Sequence, residues 1–425
     1  MLKKYHTFLC VRLMRARVIN YLVTLAVAGS VFVLIVVLSV MWGFDRDLRT
    51  RIRGTLADVS IESVGLDRVQ DYDTVISWIK EDAQLGPLVK ECSPYAQCFV
   101  FLSWSDSGTT YTLYAMARGI DFDREKNVSD LASYLQGGKS PDFNLDGGEP
   151  PYPGLLIGQQ LAKDIDLRPD GELQKGARIQ LTPPMSRGVF LSSPTFTLVG
   201  EFKSGYLEYD SRFVYIPLKE AQRLAGYDYD EASGISIALK DYNQADRAKE
   251  LLEQKLKGIY PVRTWAEQRK PLLEAVHLER VVMAVILGSL VLLAALFVCA
   301  VMLMAVKEKT RDIGILKALG GTVGGIMRIF LVNGLVIGVT GAAVGAAGGL
   351  LFVKYINSIA RFAEQYLGLQ VFPRDIYYLD KIPTFVDATG VCLIVFSAIA
   401  ASLLAAVVPS LIAARLNPVE ALRYE

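Results

Sequence analysis

The sequence predicts a membrane α-helical bundle of four transmembrane helices with a large α+β extracytoplasmic domain inserted between helices 1 and 2. Two observations carry that prediction. Within the 425 residues, the runs 18–44, 281–306, 329–353 and 388–414 contain no Asp, Glu, Lys or Arg, and each exceeds the roughly 20 residues that cross a bilayer core. Between the first two runs, strand-length alternation is interspersed with amphipathic helical patterns, the signature of a folded α+β insertion. The formal net charge of +1 argues against nucleic acid as the main partner.

Residues 1–17 form a short cytoplasmic segment carrying Lys3, Lys4, Arg12, Arg15 and Arg17. Basic residues also precede the core of a signal peptide, but the run 18–44 is far too long for one and no A-x-A-like site follows it. It reads as an uncleaved anchor with its N-terminus inside, and four spans return the C-terminus to the same side. At 1.5 Å per residue it covers about 40 Å against a core of about 30 Å, so helix 1 continues beyond the bilayer as a stalk. Arg46, Arg49, Arg51 and Arg53 follow it, against the positive-inside rule. Long domains translocate largely regardless of charge, which places 45–280 outside.

Within 45–280, "DVSIES", "CFVFLSW", "TYTLYAMARG", "ARIQLT", "TFTLVGEF", "RFVYIPL" and "GISIAL" read as strands, and "DTVISWIKED" and "NQADRAKELLEQKLKG" as helices. The Gly/Pro-rich stretch 137–154 splits the insertion into two parts. After Trp265 a helical pattern runs unbroken into the span 281–306. Cys92 and Cys98 lie in this extracytoplasmic part, where both a disulfide and two free thiols are open. Cys10, Cys299 and Cys392, in or beside the apolar runs, are inert small residues.

The cytoplasmic loop 307–328 opens with "VKEKTRDIGILKALGG", six charges within eleven residues and then two glycines. At about 100° per residue, Ile313, Ile315, Leu316 and Leu319 share one arc, with Asp312 inside it and Thr310 and Lys317 opposite. Lipid is a poor host for that carboxylate, whereas a groove on another protein pairs it. Glu308, Lys309, Arg311, Asp312, Ile313, Ile315, Leu316, Leu319 and Gly320 are therefore the candidate docking element. The span 329–353 carries Gly334, Gly338, Gly341, Gly345 and Gly349 in G-x-x-x-G spacing, which lets helix backbones approach closely in lipid. A loop, 354–387, returns outside. The last span, 388–414, holds Pro409 near its cytoplasmic end, ahead of the tail 415–425.

Catalytic and metal signatures are missing. The two histidines, His6 and His277, have no nucleophile or metal-ligand spacing, and G-x-x-x-x-G-K-[ST] and C-x-x-C do not occur. None of the four runs carries an acidic side chain for a proton relay. A chain of this kind is non-catalytic and takes its energy from a partner.

The order of these motifs resembles the permeases of the MacB/FtsX class of ABC transporters: four spans, a large domain after the first, "KEKTRDIGILKALGG" after the second, and a terminal "LNPVEALRYE". "VLSVMWGFDRDLRTRIRG", "YAMARGID", "LLIGQQLA", "FKSGYLEYDSRFVYIPLKEAQ" and "YPVRTWAEQRKPLLEAVHLER" are similar to successive blocks of the lipoprotein-releasing permeases LolC and LolE. Trp42 stands where that family pattern has Asn. The resemblance implies mechanotransmission in the bacterial inner membrane. A separate LolD-like ATPase binds ATP and Mg, so this chain needs no cofactor of its own. It pairs with a second permease chain among membrane lipids, and a lipoprotein is passed to a periplasmic LolA-like chaperone. The loop after the second span is then the ATPase contact. The stretch "LTPPMSRGVFLSSPTF" (181–196) falls where the resemblance puts a chaperone-capturing hairpin, with Pro184, Met185, Arg187 and Phe190 near its tip, and an ordinary exposed hairpin is the other reading. Two other functions share these mechanics: a MacB-like efflux permease, and an FtsX-like regulator of a periplasmic cell-wall hydrolase.

Overall fold

Apolar runs of this length satisfy their backbone in lipid as helices, and the computed structural model builds them so. It describes residues 18–63, 68–106, 108–135, 152–168, 172–184, 193–368 and 381–417. In chain order the longer elements are α1 (Val18–Thr55), β1 (Val59–Glu62), α2 (Tyr72–Glu81), β2 (Val89–Asp106), β3 (Thr109–Ile120), β4 (Gly154–Gly158), β5 (Arg178–Thr182), β6 (Thr195–Phe202), β7 (Phe213–Pro217), α3 (Leu218–Ala225), β8 (Gly234–Leu239), α4 (Ala245–Leu256), β9 (Val262–Thr264), α5 (Lys270–Glu308), α6 (Thr310–Ala318), α7 (Val323–Leu367) and α8 (Ala388–Arg415). Two units emerge, Met1–Asp47 with Glu274–Glu425, and Leu48–Leu273.

In the first unit α1, α5, α7 and α8 are long and apolar enough to cross a membrane. Asp45 and Arg280, the charges bounding the first two apolar runs, pair at 2.7 Å and so hold α1 and α5 at one level. The segment before α8 is fastened to its neighbours by polar groups. The Asn357 amide donates to the Ile382 carbonyl and its oxygen accepts from the Ile382 N–H, while Phe385 N–H donates to the Ser39 carbonyl at 2.9 Å. The ring of Trp42 fills the space beside Gly390 that any side chain there would need. A small residue on α8 thus accommodates the bulky one on α1.

In the second unit the alternation seen in the sequence closes a barrel. β2 pairs with β3, β3 with β7, β7 with β4, β4 with β6, β6 with β5, and β5 returns to β2. All six strands contribute inward side chains to one core: Val100 and Leu102, Ala115 and Ala117, Val214 and Ile216, Leu155 and Ile157, Phe196 and Leu198, Ile179 and Leu181. The first half of β2 belongs to a second sheet, β2-β8-β1-β9, whose core of Val59, Ile61, Cys92, Ile235 and Ile237 is covered by Ile76 and Ile79 of α2 and by Ala248 and Leu252 of α4. The barrel core is therefore nested in sequence within the sheet core. The stretch 137–154 lies outside the described residues up to Tyr152, and chain on both sides of it contributes to each core. All seven stretches read as strands are strands. Unread were β4, β9 and the first half of β2, where Pro94 and short polar residues interrupt the alternation.

Buried Arg118 sits at the seam of the two cores, donating to Ser236 Oγ at 3.0 Å with its guanidinium 4.1 Å from the Tyr95 ring centre. Cys92 and Cys98 are free. They sit six positions apart on one extended strand, about 20 Å, beyond the reach of a disulfide. Burial pushes both thiols up to about 12, which leaves them unreactive.

Asp82, just after α2, binds the Lys255 ammonium at the end of α4 and accepts the N–H groups of Leu85 and Gln84. The Lys255 bond and those N–H groups hold its carboxyl at about 2. A depressed carboxyl contributes stability above its ordinary value, about 4, and that contribution disappears as pH falls through about 2. Lys255→Met should therefore lower the melting temperature of the soluble unit near pH 6, and the gap to wild type should narrow between pH 4 and 2. Near-ultraviolet circular dichroism melts at each pH check this.

Candidate functional site

The candidate docking stretch forms α6, a separate nine-residue helix between two long ones. Thr310 starts it, its hydroxyl donating to the carbonyls of Val306 and Lys307 at the end of α5. Its end follows from the two glycines. Gly320 takes φ +92°, and the N–H groups of Gly320 and Gly321 donate to the carbonyls of Lys317 and Leu316, the left-handed stop that glycine favours. Thr322 then caps α7 by accepting from Gly325 N–H. Only Lys309 separates α6 from α5, and only residues 319–322 separate it from α7.

The faces of α6 are divided. Ile313 and Gly314 are buried, and Ile313 shares a core with Ile326, Phe330 and Ala413, against which Leu416 packs. Lys317 reaches the other way along the same contact, donating to the carbonyls of Ala414 at 2.8 Å and Leu416 at 2.6 Å. These belong to the unsatisfied end of α8, where a cation also complements the helix dipole. The opposite face carries Arg311, Asp312, Ile315 and Leu319, all exposed, Leu319 at 81%. Asp312 is paired with Lys309 at 2.7 Å.

The glycines of α7 also divide. A methyl group on Gly334 would strike Ala406, and one on Gly338 would lie 2.9 Å from the Ser402 side chain, both on α8. The later glycines face α1. A methyl on Gly341 would sit 2.9 Å from Val27, one on Gly345 would collide with the Ala28 carbonyl oxygen, and one on Gly349 would lie 3.2 Å from Ile35. One stripe of small residues thus brings α7 against two helices in succession, as close backbone approach in lipid requires.

A model of the MacB-like periplasmic core domain matches residues 21–255, more than half of the chain, and one of the FtsX-like permease C-terminal region matches residues 284–418. The chain belongs to the MacB/FtsX class of ABC transporter permeases. The permease is 29% identical to the lipoprotein-releasing system transmembrane protein LolC of Xylella fastidiosa, over 94% of this chain and 92% of that one. It is 28% identical to LolC of Neisseria meningitidis over 96% and 95%, and 25% identical to LolE of Haemophilus influenzae over 94% and 92%.

The structure of the permease revises two expectations about α6. Ile313, assigned by periodicity to the partner-facing arc, is spent on the bundle, and Leu316 is half-buried. The exposed ridge is narrower: Arg311, Asp312, Ile315 and Leu319. Lys317, placed by periodicity opposite the apolar arc, fastens α6 to α8. Nothing in the sequence marks that role, because its acceptors lie about a hundred residues away. Glu308 ends α5. Of the hairpin residues, Pro184 is exposed, while Met185, Arg187 and Phe190 lie outside the described residues. The hairpin's base is closed by pairing of Gln180 with Thr195 and by a 3.1 Å bond between the Thr182 and Ser193 hydroxyls. The barrel strand β2 holds it at Phe101–Thr182.

Gly345→Leu should lower bundle stability by about 3 kcal/mol, because the new side chain meets a backbone carbonyl that cannot move aside. The expected result is a lower melting temperature of the detergent-solubilised permease with unchanged protection of the barrel strands in hydrogen exchange.

Proposed function

We propose that this permease couples ATP hydrolysis by a separate ATPase chain to a conformational change in its periplasmic domain, and so releases lipoproteins from the inner membrane to a soluble chaperone. The observation that carries the ATPase contact is the division of α6. A nine-residue helix with one face anchored in the bundle and an exposed Ile315/Leu319 ridge flanked by Arg311 and Asp312 has the form of a lever seated in a partner's groove. The near full-length likeness to LolC and LolE proteins supports lipoproteins as the cargo. In this reading the permease is a non-catalytic subunit paired with a second permease chain, and ATP and Mg are held by the partner ATPase. The N-terminus, α6 and the tail are cytoplasmic.

The mechanism follows from connectivity. Closure of an ATPase dimer would displace α6, and capped turns leave little slack before α5 and α7 respond. Lys317 and Ile313 make α8 respond as well. Above the membrane run, α1 and α5 continue as helix to Thr55 and from Lys270, so the motion has rigid elements to travel along.

The double variant Ile315→Glu/Leu319→Glu should weaken ATPase association about 100-fold, since docking would bury two unpaired carboxylates, while the permease itself keeps its melting temperature. Ile313→Glu should instead destabilise the bundle. Co-purification of the ATPase at equal expression, alongside thermal melts, separates the two, and retention of the ATPase by the double variant refutes docking through this ridge.

For the hairpin, Met185→Asp/Phe190→Asp should abolish chaperone capture, because a small contact depends on a few apolar anchors, and leave ATP hydrolysis by the complex intact. Pull-down of the chaperone with variant and wild-type complexes is the measurement. Wild-type binding would assign capture to another surface.

A further inference from the structure

The loop between β6 and β7 contains "KSGYLEYD" (203–210), and its backbone is held by side-chain hydrogen bonds. The fully buried Asp210 carboxylate accepts from Ser204 N–H at 3.0 Å, Ser204 Oγ at 2.7 Å and Gly205 N–H at 3.2 Å. Ser204 Oγ in turn accepts from Tyr206 N–H at 3.1 Å. Next to Asp210, the Tyr209 ring is buried and stacks on Phe213 with centres 4.1 Å apart. Three successive backbone amides are thus fixed by one carboxylate and the hydroxyl it orders.

Both chain crossings of the soluble unit meet this loop. Arg51, one turn before the end of α1, donates Nη1 to the Gly205 carbonyl at 2.7 Å. Gly205 has φ +78°, and a methyl group on it would occupy the position of the Arg51 guanidinium, so glycine is required there twice over. On the return crossing, Arg269 immediately precedes α5. Its guanidinium lies 5.7 Å from the Tyr206 ring centre and 3.9 Å from the Glu208 carboxylate, and the Tyr206 hydroxyl donates to that carboxylate at 2.5 Å. The helix ends are also tied to the second sheet: Trp265 N–H donates to the Asp58 carbonyl, and Gln268 donates to Ser60 Oγ. The loop 203–210 differs because it leads directly into two barrel strands.

Given mechanotransmission, on which this role rests, we propose that Arg51 and Arg269 are positioning residues that clamp both stalk helices to the 204–208 loop, and that this clamp passes helix motion to the barrel. Arg51 supplies a charge-assisted hydrogen bond, Arg269 adds an ion-pair and a ring contact, and the Asp210 carboxylate holds the loop amides between them, so a displacement of α1 relative to α5 reaches β6 and β7 rather than being absorbed in the loop.

The test is hydrogen–deuterium exchange on the complete complex with its ATPase, with and without ATP. In wild type, ATP should change exchange both in helical peptides within 18–55 and 270–308 and in barrel peptides within 195–217. In Arg51→Gln/Arg269→Gln the helical response should persist while the barrel response falls about fivefold, within the range over which coupling residues act. Gly205→Ala should reproduce the loss at Arg51, and Arg51→Lys/Arg269→Lys should recover most of the response, which a purely structural defect would not. A wild-type barrel response in the double Gln variant overturns the clamp. If wild type shows no ATP-dependent change in either helices or barrel, mechanotransmission itself fails and the clamp with it.

Discussion

The contact between the α7 backbone and its two neighbours is the constraint on which the membrane unit depends. Lipid tails are as apolar as leucine side chains, so helices in a bilayer gain little from hydrophobicity alone and must gain from close packing. Gly334 and Gly338 admit α8, and Gly341, Gly345 and Gly349 admit α1. With α7 and α8 in contact, the carbonyl end of α8 comes within reach of Lys317, and Ile313 enters the same core as Ala413. A looser α7 would separate these groups and leave α6 attached only through its capped ends.

That arrangement explains how so short a helix holds its place. Nine residues are too few for a stable isolated helix in water, and α6 survives because three independent devices define it: the Thr310 start, the left-handed stop at Gly320 and the buried inner face. Its outer face is then free to present an apolar ridge next to charges. Ile315 and Leu319 form that ridge, the feature on which the proposed ATPase contact rests. The same logic applies in the soluble unit, where the long strand β2 serves two cores and Arg118 joins them through Ser236 and Tyr95. An element shared between two cores ties them together.

Much of this architecture was legible in the sequence, for physical reasons that are local. Charge-free runs longer than a bilayer core leave helices as the only solution. Period-2 alternation marked β1, β3, β5, β6, β7 and β8, and paired glycines at 320–321 marked the end of α6, because each depends on residues within a few positions of one another. The G-x-x-x-G spacing likewise identified a packing stripe from α7 alone. Tertiary structure decided whatever depends on partners distant in the chain. Periodicity grouped Ile313 with Ile315 and Leu319, and only the arrival of Ala413 and Phe330 assigned Ile313 to the bundle. Periodicity placed Lys317 only opposite the apolar arc, and the end of α8 supplied its two carbonyls. Cys92 and Cys98 had both pairing states open until one extended strand held them apart. Closure of the barrel was equally invisible, since β5 returns to β2 across about eighty residues of intervening chain and no local pattern encodes that register. Arg51, one of several arginines after the first span, acquired its particular acceptor only when the β6–β7 loop brought Gly205 to it.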